Sequence, residues 1–228
     1  DREHTPKDED GNYDFESLYA MDLEFLNKQL NELLEGKEVE VPRFDFKTGN
    51  RIFEGNKLRL EDKDILIMEG IHALNPEMTS AVDDSRIFRV YVSALTSLNI
   101  DENNNMSTSD NRLLRRMVRD NRVRGITPEE TIMRWNSVRR GESKNIFPFQ
   151  ENADALFNSA LIFELPMLKY YAEPLLRRIA PNSPAYTEAV RLLKFLDYIV
   201  ELQPSEIAAI PPTSIMREFI GGQTLTRD

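Results

Sequence analysis

The segment from Asp64 to Gly70 sets four apolar residues, Ile65 to Met68, in an unbroken run and ends it on Glu69 followed by Gly70. An apolar run without alternation fits a strand covered on both faces, as in the parallel sheet of an α/β domain. Such sheets bind ligands at the carboxyl ends of their strands, which places Glu69 on a ligand-binding edge. A carboxylate there can hold a metal ion bound to phosphates or orient a hydroxyl, and the glycine lets backbone or ligand come close. A loop cap or a salt bridge accounts for Glu69 equally well at this point.

The rest of the chain alternates elements in the same style. Phe15, Leu18, Asp22, Phe25, Leu26, Leu30 and Leu33 follow mostly steps of three and four, predicting an amphipathic helix that Asp14 caps and Gly36 ends. VEVPRFDF, the turn KTGN and RIFEGNKLRL predict a β-hairpin, with Pro42 confining its first strand to an edge. A second core strand is expected over Arg86 to Ala94 and a third in ADALFNSAL, where Asp154 has a turn role by default. The polar stretch NIDENNNMSTSDN between them is a loop leading to a helix that starts near Asp110 and ends at Gly125. Thr127 as N-cap, Pro128 at the first helical position and Glu130 complete a capping box for the next helix. From Glu164 the pattern is helical: one helix through Arg178, another from Ser183 to about Leu202, and a terminal IMREFIGG.

Three core strands are fewer than the about four to six that sheets usually hold, so further strands are expected upstream of Asp1. The start in a polar acidic stretch, DREHTPKDEDG, likewise reads as the later part of a longer protein.

Zero cysteines exclude disulfides and cysteine-ligated metals, and only two histidines, His4 and His72, argue against zinc. Any metal here is a hard one held by oxygen. His72 reads as structural. The net charge of −10 argues against general nucleic-acid or anionic-membrane binding, which makes the location of charge more informative than its sum. No apolar run approaches the roughly 20 residues needed to span a bilayer.

Against that acidic background, NRLLRRMVRDNRVRG puts six arginines beside one aspartate. Leu113, Leu114, Met117 and Val118 form a buried stripe, and Arg112, Arg115, Arg116, Arg119 and Arg122 are expected to share the other side. Charge runs are commonly solvated faces. Arginines at one-turn spacing that lack acidic partners four residues away repel one another, however, and a polyanion relieves this. The guanidinium fork suits phosphate oxygens, including those of a transferring phosphoryl group.

NYDFESLYAMD, VPRFDFKTGNR, ILIMEGI, DNRLLRRMVRDNRVRG and NADALFNSAL, in this order and spacing, resemble the uridine kinase and phosphoribulokinase family of P-loop phosphotransferases, over roughly Asn12 to Leu161. The resemblance implies a P-loop kinase-like α/β fold: a parallel sheet flanked by helices, a β-hairpin excursion leaning over the acceptor site and N-terminal strands missing from this chain. Residues 1–163 are then the later part of a kinase domain, and 164–228 a helical C-terminal extension packed on it. It also implies that Asp14 binds ribose hydroxyls and that Tyr13 and Phe44 line the acceptor pocket. Glu69 sits near Mg²⁺ and the phosphates, with a catalytic and metal-binding role. Arg116, Arg119 and Arg124 are phosphate-binding residues of a mobile lid, of which Arg119 and Arg124 are catalytic.

Three positions depart from the pattern. The nucleoside kinases carry a histidine where this chain has Gly49, a glutamine where it has Arg134 and an arginine where it has Ile126, and those side chains recognise or frame the pyrimidine. The G-x-x-x-x-G-K-[ST] phosphate loop is also absent, since none of the nine glycines sits in that frame.

The expectation is an ATP-dependent phosphotransferase for a hydroxyl of a nucleoside or related sugar acceptor, inactive as this chain alone. Its ligands are ATP, Mg²⁺ and the acceptor, with homo-oligomerisation left open. Missing export signals and ATP dependence imply cytoplasmic residence. A non-catalytic nucleotide-binding or regulatory module on the kinase scaffold is the alternative, and RNA binding through the arginine helix ranks third.

Overall fold

The computed structural model describes residues 1–7, 11–45, 48–96, 102 and 107–224. The chain forms helix α1 (Leu23–Leu34), strands β1 (Val39–Glu40), β2 (Arg43–Asp45), β3 (Asn50–Ile52), β4 (Lys57–Leu58) and β5 (Val90–Ser93), and helices α2 (Thr108–Arg124) and α3 (Pro128–Asn145). Strand β6 (Ala155–Asn158) follows, then α4 (Glu164–Leu176), α5 (Tyr186–Leu196), α6 (Pro204–Ala208) and α7 (Met216–Ile220). Two compact units result: Asp1–Tyr91 with Arg140–Leu156, and Val92–Arg139 with Phe157–Asp228. The C-terminal helices therefore share a unit with α2.

The architecture is α/β, with a parallel strand pair, helices and an all-helical C-terminal region. The direction of β5 and β6 follows from their hydrogen bonds: Arg89 O accepts from Ala155 N–H at 3.2 Å, and four residues on Ser93 O accepts from Ser159 N–H at 2.9 Å. Equal steps in the same direction define a parallel ladder. The expected hairpin also forms, with Phe44 opposite Arg51 in the antiparallel pair β2–β3 and Val39 opposite Leu58 in β1–β4. Phe46, the last residue of VEVPRFDF, lies outside the described residues.

Two sequence expectations are corrected. Residues 64–69 are not a strand: Ile65 and Ile67 are each 86% exposed, and no strand among the described residues pairs with them. An apolar run becomes a strand only when a neighbour fills its row of N–H and C=O groups, and this one has none. The second expected core strand shrinks to β5, whose alternate residues Val90 and Val92 are exposed along with Phe88.

Helix α1 also starts later than expected. Asp22, not Asp14, is its cap, accepting from Phe25 N–H at 3.0 Å, and Phe15 is exposed. Asn27 ties α1 into the first unit: its amide donates to Leu23 O and Met78 O, and its oxygen accepts from Ala81 N–H. Leu18, Leu30, Leu33, Val39 and Met78 are the buried apolar residues here.

The second unit has the larger core. The expected stripe Leu113, Leu114, Met117 and Val118 is buried, packed with residues of α4, α5 and α7. Gly125 ends α2 in the left-handed conformation, φ 65°, as a C-terminal glycine permits. The capping box of α3 forms as its sequence predicts, with Thr127 N–H to Glu130 Oε2 at 2.9 Å and Glu130 N–H to Thr127 Oγ1 at 3.2 Å.

Candidate functional site

The residues singled out in the sequence fall into two sets, one in each unit. In the first unit Asp14 follows Tyr13 in a loop, and its Oδ1 accepts from Glu16 N–H at 3.1 Å, an Asx turn. Its other oxygen meets Lys144 Nζ at 3.5 Å, from the last turn of α3, and Asn145 Nδ2 donates to Glu16 O at 3.0 Å. The Tyr13 ring has Lys7 Nζ 5.7 Å above its centre and Phe15 at 5.8 Å. Because Asp22 caps the helix, the Asp14 carboxylate has no capping role, and it is partly exposed.

His72 is buried in the same unit. Burial pushes its pKa below the usual imidazole value, opposed by the Glu16 backbone and the Asp14 charge. Neither ring nitrogen has a hydrogen-bond partner among the described residues. Glu69 is exposed, and its side chain has no hydrogen bond or ion pair among the described residues. No cluster of three or more His, Cys, Asp or Glu side chains that could hold a metal occurs among the described residues. Mg²⁺ bound through phosphates needs only one or two carboxylates, and the unengaged Glu69 fits that lesser demand.

In the second unit the arginines have partners the sequence argument missed. Asp120, 1% exposed, receives Arg119 Nε at 3.0 Å, Arg124 Nη1 at 3.1 Å and Arg116 Nε at 3.3 Å. Asp120 lies four residues from both Arg116 and Arg124, so the expectation that the run lacks acidic partners at that spacing is corrected. One carboxylate gathers three guanidiniums, which leaves a surplus of positive charge on solvent-accessible groups. Arg115 does not share the outer face: it is buried and ion-paired with Glu164.

The departing positions have physical settings too. Gly49 is buried at φ 75°, and a Cβ there would meet the Arg2 guanidinium carbon at 2.9 Å, so a larger residue needs Arg2 to move. Ile126 O accepts from Asn121 Nδ2 at 3.3 Å, and Arg134 is exposed.

A cavity of about 660 Å³ in the second unit is lined by Asp110, Trp135, Arg139, Glu188 and Arg191 among others. Arg191 is held there by Asp110 and Glu188, both at 2.6 Å. Its charges cancel, and nothing in it favours an anion over a cation.

A parallel strand pair, flanking helices and a helical C-terminal region make this an α/β protein. The sequence profile of the phosphoribulokinase / uridine kinase family matches residues 2–162. A uridine kinase of Staphylococcus epidermidis is 30% identical over 157 residues, 68% of this chain and 67% of that protein. A uridine kinase of Macrococcus caseolyticus is 31% identical over 156 residues, with the same two shares, 68% and 67%. One of Brevibacillus brevis is 28% identical over 157 residues, 68% and 65% of the two chains. The chain belongs to the phosphoribulokinase / uridine kinase family. Helices α4 to α7 lie beyond the matched residues. No described helix is long and apolar enough to cross a membrane.

Proposed function

We propose that the chain carries the acceptor-binding and phosphate-binding parts of an ATP-dependent phosphotransferase that phosphorylates a hydroxyl of a nucleoside or related sugar acceptor in the cytoplasm. In this reading residues 1–163 are the kinase part and 164–228 a helical extension. Asp14 accepts hydrogen bonds from the acceptor's hydroxyls, with Tyr13 and Phe44 against its apolar faces. Fixing the hydroxyl in this way supplies orientation rather than chemistry.

Arg116, Arg119 and Arg124 donate to phosphate oxygens, and as charge spreads over the transferring group their pull strengthens. Glu69 would hold Mg²⁺, which when bound neutralises phosphate charge. The surplus of positive charge around Asp120, three guanidiniums against the carboxylates of Asp120 and Glu218, is the observation that supports the reading most directly. The family supports the reaction class.

The non-catalytic alternative draws on one observation: G-x-x-x-x-G-K-[ST], whose backbone and lysine cradle the β- and γ-phosphates in P-loop enzymes, does not occur in these 228 residues.

Calorimetric titration of uridine, ribose and inorganic pyrophosphate separates the two roles. Asp14→Asn is expected to weaken acceptor binding on the order of tenfold, the worth of a charged hydrogen bond, and to leave pyrophosphate binding unchanged. Arg119→Ala is expected to do the reverse. Acceptor affinity that survives Asp14→Asn removes the acceptor assignment, and pyrophosphate affinity that survives Arg119→Ala removes the phosphate assignment.

A further inference from the structure

The C-terminal helices outside the family match act directly on the arginine helix. Arg122 Nε donates to Phe219 O at 3.0 Å and Nη2 to Glu218 O at 2.8 Å. These carbonyls belong to the final turn of α7, where no intrahelical N–H fills them and the helix end carries partial negative charge. Gly221 follows at φ 91°, and a Cβ there would meet Arg122 Nη1 at 3.1 Å, so the seat for Arg122 favours glycine doubly. The Arg115 guanidinium lies over the Phe219 ring, 5.2 Å from its centre. Held in this way, α7 brings Glu218 Oε1 to 3.6 Å from Arg119 Nη1.

We propose that Glu218 is a positioning residue for Arg119: α7, seated on α2 through Arg122, presents a second carboxylate that shares Arg119 with Asp120 and competes with phosphate for it. The proposal rests on the assignment of Arg119 to phosphate. Both side chains are partly exposed, 25% for Arg119 and 32% for Glu218, so the competition is modest. It amounts to a roughly two- to fivefold change in anion affinity, the scale of an exposed ion pair. The C-terminal region thereby sets how readily the arginine face takes an anion, and a shift of α7 would change that affinity with Arg116, Arg119 and Arg124 all still in place.

The test is the affinity of the whole chain for inorganic pyrophosphate at low salt, measured for wild type, Glu218→Gln, Glu218→Asp, Arg119→Ala and the Arg119→Ala/Glu218→Gln pair. Glu218→Gln should tighten binding roughly two- to fivefold, Glu218→Asp should stay near wild type, and the double variant should match Arg119→Ala. Unchanged or weaker binding in Glu218→Gln, while Arg119→Ala still weakens it, overturns the proposal and leaves the phosphate assignment standing. Equal tightening in the Arg119→Ala background overturns it as well, because the effect then bypasses Arg119. If Arg119→Ala itself binds as wild type, the phosphate assignment fails and the proposal with it. Arg122→Lys, which can keep only part of the seat, gives an independent check: hydrogen exchange in α7 should quicken and affinity should shift in the direction of Glu218→Gln, and unaltered exchange and affinity would overturn the seating of α7 through Arg122.

Discussion

Arg115 and Glu164 form a two-pronged ion pair inside the helical core, Nη2 donating to Oε2 at 2.6 Å and Nε to Oε1. Asn111 Nδ2 adds a hydrogen bond to Oε1 at 2.9 Å, and Leu161 N–H one to Oε2 at 3.3 Å. Glu164 is fully buried at the first turn of α4, so the pair joins α2 to the C-terminal helices. Breaking such a pair from one side strands a charge without water. Glu164→Ala should therefore lower stability by about 3–5 kcal/mol in urea denaturation. Replacing both partners, Arg115→Met with Glu164→Leu, should recover much of that loss because no lone charge remains. A loss below about 1 kcal/mol in the single variant would mean that the pair is solvated.

Asp120 has the opposite arrangement, a buried anion serving three partly exposed cations. Asp120→Asn keeps the shape and removes the charge that offsets their mutual repulsion. Solvent screens guanidiniums this exposed, so the expected loss of stability is about 1–2 kcal/mol. Added salt should shrink the difference between variant and wild type, since screening relieves repulsion. Denaturation curves at low and high ionic strength give the answer, and a difference that does not depend on salt would place the role of Asp120 in packing.

Asp22, not Asp14, takes the capping part that the sequence assigns to Asp14. Asp22 caps α1 and also pairs with Arg51 at 2.7 Å, and the Phe25 N–H bond first, then Arg51, hold its carboxyl below the usual value. A carboxyl depressed in the folded state contributes stability that is complete above its unfolded pKa of about 3.9 and disappears as pH falls through the folded value. Asp22→Ala should cost about 1 kcal/mol at neutral pH and flatten the acid limb of the stability curve. Asp14→Asn should change stability by less than about 0.5 kcal/mol, since the amide keeps the oxygen that accepts from Glu16 N–H and only a long ion pair to an exposed lysine is lost. Equal losses in the two variants would return a structural role to Asp14.

What the sequence made legible was local. The ends of α2 and α3 were readable because Gly125, Thr127, Pro128 and Glu130 act on backbone within a few residues. The apolar stripe of α2 was readable from its spacing. Glu164 as the partner of Arg115 was not, because 49 residues separate them and no periodicity joins them. The run at Ile65 to Met68 failed for the same reason, since its pattern gives the polarity of a strand but not the neighbour that completes a ladder. Asp120 differs from both: its spacing to Arg116 and Arg124 is in the sequence, and the signal was missed because the cations outnumber it.

The 228-residue chain should transfer no phosphate from ATP to uridine or another nucleoside in a coupled ADP-release assay, with or without Mg²⁺. Phosphoryl transfer depends almost entirely on positioning and on charge stabilisation, and in P-loop enzymes the glycine-rich backbone and its lysine supply the cradle. The arginines of α2 offer charge but no cradle, and part of that charge already answers Asp120 and Glu218. Weak pyrophosphate binding without turnover is therefore the expected behaviour. Turnover abolished by Arg119→Ala would show that other residues of this chain hold the β- and γ-phosphates, and would overturn the inference drawn from the missing loop.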